Sequence, residues 1–206
     1  ENISIGKDTK ISAGTIIDAS SGPIIIGSGV TIDIGSLIKG PVIIGAGSII
    51  NPGSKLRGNV IMGPLCKVGG EVEDSIIHGY SNKQHDGYLG HSYVGEWVNL
   101  GANTNTSDLK NTYGSISFPF GDETIDSGEI FIGSMIGDYV RTGISTMLNT
   151  GSNIGTGSCL FGNGFQKKYI PPFIWEKNDR QNLESFLITI ERMKKRRNME
   201  LGRAEI

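Results

Sequence analysis

From Ile26 onward every sixth residue is aliphatic or methionine: Ile26, Ile32, Ile38, Ile44, Ile50, Leu56, Met62 and Val68. The fifth residue of each hexad is small or β-branched, at Val30, Ser36, Val42, Ser48, Ser54, Val60, Cys66 and Val72. A period of six fits neither an amphipathic helix nor a plain alternating strand. It predicts a short strand followed by a corner, repeated. Three such sides close a triangular coil of about 18 residues, with the leading apolar residue inside and the small residue in the corner. Gly27, Gly45, Gly63 and Gly69 supply the backbone freedom a tight corner needs. The same spacing occurs at Ile5, Ile11 and Ile17, before a slip of three near Ser20–Pro23. It resumes at Tyr88, Val94 and Leu100, and again at Ile130, Ile136, Thr142, Leu148, Ile154 and Leu160. Parallel strands stack ~4.8 Å apart, so about seven coils predict an all-β triangular prism roughly 35 Å long. No side can hold a core alone; neighbouring coils stabilise one another.

Three segments depart from this pattern. Residues 74–87 break the register, and residues 105–129 form a polar excursion carrying Asp108, Lys110, Asp122 and Glu123. An excursion from a rigid prism is read as a functional loop. The third is the tail, residues 165–206, where Pro171 and Pro172 are expected to end the β-structure. Asn178 or Asp179 is the expected helix cap. Leu183, Phe186, Leu187, Ile190 and Met193 then form one apolar stripe. The predicted organisation is a prism over residues 1–164 with a loop inserted at 105–129, and a C-terminal extension over 165–206 bearing an amphipathic α-helix. The basic end of that helix, Lys194–Arg197, is read as a solvated surface.

Composition agrees. The chain has 30 Ile against 11 Leu and 5 Ala, which disfavours a helical bundle, and 31 Gly without the proline of collagen. The net charge of −2 argues against a wholly basic nucleic-acid binder. No apolar run is long enough for a membrane span. Two cysteines make no disulfide framework. Cys66 occupies a corner slot and reads as a buried small residue.

The chemistry concentrates in Asn82-Lys83-Gln84-His85-Asp86-Gly87-Tyr88-Leu89-Gly90, followed by Val98-Asn99-Leu100-Gly101-Ala102. Neutral imidazole is the side chain best able to take a proton near pH 7. His85 sits at a register break and so need not point inward. The hexad count marks Tyr88 as inward, which means either that the register has slipped there or that the phenol faces a cleft.

His85-x-x-Tyr88-Leu89-Gly90, followed by Asn99-Leu100-Gly101-Ala102, resembles the C-terminal acetyltransferase domain of the GlmU-type family, the bifunctional glucosamine-1-phosphate N-acetyltransferase/UDP-N-acetylglucosamine pyrophosphorylases. The hexads over residues 3–164 resemble those of the hexapeptide-repeat superfamily. The resemblance implies a left-handed parallel β-helix, a cytoplasmic homotrimer, and acetyl transfer from acetyl-CoA to an amino-sugar phosphate, glucosamine-1-phosphate in the first instance. It implies His85 as general base, Tyr88 and Asn99 as sugar-phosphate contacts, and Ala102 beside the thioester carbonyl. Lys110 is the expected phosphate cation. No resident metal is implied; Mg2+ enters only with an upstream nucleotidyltransferase domain, expected if Glu1 is an internal boundary. Glu73 and Asp108 stand where better-known members carry Lys and Asn, and acidic groups oppose a phosphate.

Two further readings stay open at this point. The β-helix can serve as a non-catalytic trimerisation or regulatory module of a sugar-1-phosphate nucleotidyltransferase. A gamma-class carbonic anhydrase would bind zinc through histidines, here His78, His85 and His91, but spacings of seven and six put these near different corners of one chain.

Overall fold

The computed structural model describes residues 2–162, 164–176 and 179–202. Parallel strands of two or three residues wind into a three-sided solenoid, followed by one helix at Leu183–Lys195. The first face is a sheet of nine strands running from Ile3–Ile5 to Tyr169–Ile170. Nine rungs exceed the expected seven because residues 74–87 do not leave the prism and Tyr169–Ile170 extends it past residue 164. Val60 pairs with Ser75, fifteen residues on, where regular rungs such as Val42 and Val60 are eighteen apart. The coil is shortened by three residues there, and the hexad phase is lost while the wall continues.

Each face buries a ladder of the leading apolar residues, and on the first face the fifth-position residues Ile24, Val42 and Val60 are buried in register beside it. On the first, Ile26, Ile44, Met62, Ile77, Val94, Ile136, Ile154 and Ile170 stack in register, all buried. On the third, Ile38, Leu56, Val72 and Leu89 do the same. Tyr88 is therefore not inward: the register has slipped by one, Leu89 takes the core slot, and Tyr88 pairs with Glu71. On the second face Ile32, Ile50 and Val68 are followed by Lys83, which is 3% exposed. Corner slots hold buried serines whose hydroxyls donate to backbone carbonyls, as Ser81 does to Gly95 at 2.7 Å. Coils approach so closely at Gly45 that a Cβ there would lie 2.3 Å from the Gly63 carbonyl carbon. Cys66 is buried as expected, and burial pushes its thiol up to about 11, leaving it protonated and inert.

The outward positions of the first face form a second apolar ladder. Ile25, Ile43, Ile61, Ile76, Tyr93 and Met135 lie in register and exposed, beside a groove of about 680 Å³. The polar excursion begins on the prism with Asn105–Thr106, then carries an antiparallel hairpin of Ser117–Phe120 and Glu123–Asp126.

The two prolines do not end the solenoid. Ile174–Trp175 makes a further parallel pairing at Cys159 and then folds back antiparallel onto Asp179–Arg180. Pro171 and Pro172 sit at a corner, where a missing N–H costs nothing. The helix accordingly starts later than expected. Its cap is Asn182, whose side chain accepts from Ser185 N at 3.0 Å; Asp179 lies in a strand and Asn178 outside the described residues. The helix docks on a column of corner aromatics. Tyr80, Trp97, Tyr139 and Phe173 all adopt left-handed backbone conformations, with φ between 58° and 64°. Tyr80 stacks on Trp97 at 4.5 Å, Lys194 lies over Trp97, and Phe186 packs edge-on against Tyr139 and Phe173. Among the described residues no helix is long and apolar enough to cross a membrane.

Candidate active site

The irregular rung places His85. Lys67 pairs with Asn82, fifteen residues on, but Glu71 pairs with Tyr88, seventeen on. The corner below is the short one: Val68 and Val72 are four apart, whereas Lys83 and Leu89 keep the regular six, so the corner Gln84–Gly87 is two residues longer than the one it stacks on, with the His85 side chain exposed. Gly87 closes this corner at φ +123°, with a hypothetical Cβ 2.2 Å from Thr104 O, so only glycine fits. Below the corner, the Lys83 ammonium donates to His85 O and Gly69 O, both at 2.9 Å. Burial lowers its pKa to about 8, with Asp86 opposing. A buried cation thus pins the backbone that displays the histidine. The next corner lies directly above, since Asn103 N donates to Asp86 O at 2.9 Å. Ala102 is in that corner, half-buried, its carbonyl accepting from Ser145 N.

Asp86 and Gly87 of the His85 corner line a crevice of about 330 Å³ with Lys55, Glu71, Tyr88, Asn103 and Asn105; His85 precedes them in the chain and does not itself line it. The Tyr88 hydroxyl turns away from it. It lies 2.6 Å from both Glu73 Oε1 and Asp108 Oδ2, so one O–H serves two carboxylates. Burial and those two acceptors push the phenol far above its usual range. Asp108 also holds His91 Nδ1 at 2.8 Å, and Arg57 bridges Glu71 and Glu73 at 2.6 and 3.3 Å. The His91 ring stacks on Phe131, and its Nε2 is 3.7 Å from Asp74. Sequence reasoning singled out Glu73 and Asp108 only as departures; their partners Arg57 and His91 were missed. Tyr88→Phe should leave two half-buried carboxylates short of a donor and lower stability by about 1.5 kcal/mol, measured by urea unfolding. Unchanged stability would mean the phenol is dispensable to this network.

The remaining expected residues lie elsewhere. Asn99 is on the second face, one rung above Asn82, whose amide is 3.4 Å away. Lys110 is turned into its own loop, donating to Ser115 O, and does not line the crevice at the His85 corner. His85, Ala102 and Tyr88 thus share one edge of the prism, Asn99 faces the helix, and Lys110 braces the loop. No group of three His, Cys, Asp or Glu among the described residues is placed to hold a metal ion.

Residues 23–58 match the family model described as bacterial transferase hexapeptide (six repeats). The chain carries this hexapeptide repeat. Over 114 residues it is 32% identical to the bifunctional protein GlmU of Methanococcus aeolicus, covering 53% of this chain and 27% of that protein. Over 85 residues it is 38% identical to a bifunctional sugar-1-phosphate nucleotidylyltransferase/acetyltransferase of Sulfurisphaera tokodaii, covering 41% and 21%. This chain therefore matches about a quarter of these relatives' length. The Bacillus cereus N-acyltransferase AntD, solved as a point mutant with dTDP-4-amino-4,6-dideoxyglucose and coenzyme A, aligns over 91% of this chain and 88% of its own. At 16% identity and a TM-score of 0.38, that likeness transfers no chemistry.

Proposed function

We propose that this chain is an acyl-transfer module of the GlmU type. It moves the acetyl group of acetyl-CoA to the amine of an amino-sugar phosphate, with glucosamine-1-phosphate the first substrate to try. The observation that carries the reading is His85, exposed on a regular corner that stands over a shortened one, its carbonyl held by Lys83 and the next two residues of its corner lining a crevice. The amine nitrogen attacks the thioester carbon, the C–N bond forms and the C–S bond breaks. His85 takes the amine proton and returns it to the departing thiolate. Backbone N–H groups of the corner at Ala102 would steady the oxyanion. The carboxylates beside Tyr88 suit the ammonium end of such a substrate and oppose its phosphate.

The exposed apolar ladder of the first face supports a homotrimer, because monomers rarely leave so continuous an apolar surface uncovered. Acetyl-CoA as donor fits a cytoplasmic protein. The test of activity is amine-dependent release of free CoA thiol from acetyl-CoA, with glucosamine-1-phosphate and other amino-sugar phosphates as acceptors. Release that requires the acceptor is expected; none with any amino-sugar phosphate would leave the solenoid as a scaffold. Light scattering on the eluted protein should give three times the chain mass, and a monomer would overturn the trimer.

A further inference from the structure

The tail's basic cluster is not merely a solvated surface. A pocket of about 320 Å³ lies between the second face and the C-terminal helix, and four cations line it: Lys67, Arg141, Arg196 and Arg197. Among the described residues no carboxylate lines it. On the wall, Lys67, Asn82, Asn99 and Arg141 occupy successive rungs in register, so two amides sit between two cations. From the helix, Arg197 donates to Leu65 O at 3.0 Å and to Asn82 Oδ1 at 2.9 Å, and Arg141 donates to Gln181 Oε1 at 3.0 Å. These are neutral acceptors; among the described residues none of the four cations is ion-paired to a carboxylate. Arg141 Nε is buried and has no hydrogen-bond partner among the described residues. A buried guanidinium donor without an acceptor is costly, and in a cation-lined pocket an anion is the group that satisfies it. Tyr80 and Trp97, stacked with their ring planes parallel to within 3°, add aromatic lining.

We propose that this pocket binds a phosphate group, with Lys67, Arg141, Arg196 and Arg197 as its cations and Asn82 and Asn99 as hydrogen-bonding amides. The fit is to a phosphomonoester or diphosphate, because the donors converge from two sides and the arginines present forked N–H pairs. Gln84 lines this pocket, while Asp86 lines the carboxylate-bearing crevice, so the His85 corner stands between a cationic and an anionic compartment. A ligand with phosphate at one end and an amine at the other is sorted by that polarity. The pocket deepens the acyl-transfer reading by assigning the phosphate that the Tyr88 side repels. Two parts of that reaction carry phosphate: the amino-sugar phosphate and coenzyme A.

The test is calorimetric titration of the whole chain with glucosamine-1-phosphate, glucosamine, CoA and 3′-dephospho-CoA, at low and high salt. Arg196 is exposed and Lys67 half-buried, so Lys67→Gln/Arg196→Gln leaves the fold intact, checked by thermal melting. The double variant should weaken one phosphate-bearing ligand by roughly tenfold or more, and added salt should weaken it in the wild type. Arg196→Glu alone should have at least as large an effect. Loss confined to glucosamine-1-phosphate, with glucosamine binding poorly throughout, assigns the acceptor phosphate. Loss confined to CoA, with its 3′-dephospho form already weak in the wild type, assigns the donor. Affinities within twofold of wild type for both ligands, or no binding of either, would overturn the site. Phosphate binding that persists in a chain releasing no CoA thiol would sink acyl transfer and leave the pocket standing.

Discussion

His85→Ala should lower the rate of CoA release by about 10²–10⁴-fold, the usual contribution of a positioned general base. The loss should fall on kcat with KM little changed, because the imidazole acts on a proton in transit and contributes little to holding the sugar. Stability should not follow. The side chain is exposed and has no packing role, so the substitution should move the unfolding free energy by less than about 0.5 kcal/mol. His85→Gln, which keeps a polar side chain of similar reach without a basic nitrogen, should be as slow as the alanine variant. The assay is thiol release under saturating acetyl-CoA, with melting curves run alongside. Turnover within a few-fold of wild type in either variant would remove His85 as the base. Attention would then pass to His91, the histidine that does have an orienting carboxylate, in Asp108.

The prism was legible because each side commits one large inward residue beside a small or β-branched one, and over Ile26–Val68 the large one is always apolar. Such a ladder can form only if the chain returns to the same side once per coil. What followed Val68 was not legible for a specific reason. The next inward slot on that face is Lys83, fifteen residues on, so a shortened coil and a polar core residue fall together. A pattern based on apolarity sees that combination as a loop. The one-residue slip at Tyr88 and Leu89 has the same origin. The basic pocket was hidden in the same way. Its wall residues Lys67, Asn82, Asn99 and Arg141 are neighbours in space but are separated by 15, 17 and 42 residues. The last interval contains the inserted loop, whose length no periodicity predicts. The helix was visible from its stripe, whereas its docking site was not, since the aromatic column is built from corner positions outside the inward hexad slots. His85 was found by its residue type and its place at a break, and the structure supplies the reason for that break.

Lys83 offers the second large effect, and its sign follows from burial. Its folded pKa is about 8 against an ordinary 10.5, so the unfolded chain holds this proton over a range where the folded chain has released it. Stability therefore rises with pH between those values, and the cost of the buried ammonium is fully present below 8. The whole shift corresponds to about 3 kcal/mol, of which about 2 should be recovered between pH 7 and 9.5. Cys66 works in the opposite sense, because its raised thiol pKa removes stability as the unfolded chain ionises first. Comparison with Lys83→Met cancels that contribution. Methionine fits an inward slot, as Met62 shows on the first face, and it carries no charge. Urea unfolding at the two pH values should show wild type gaining about 2 kcal/mol relative to the variant. Equal pH dependence in both proteins would mean that the ammonium keeps its solvation and that the corner is not fixed by a buried charge. Deprotonation need not release that corner. A neutral amine retains two N–H groups, enough for the carbonyls of Gly69 and His85, whereas methionine offers none. The variant should thus lose acyl transfer at both pH values, while wild type at pH 9.5 keeps the His85 corner in place.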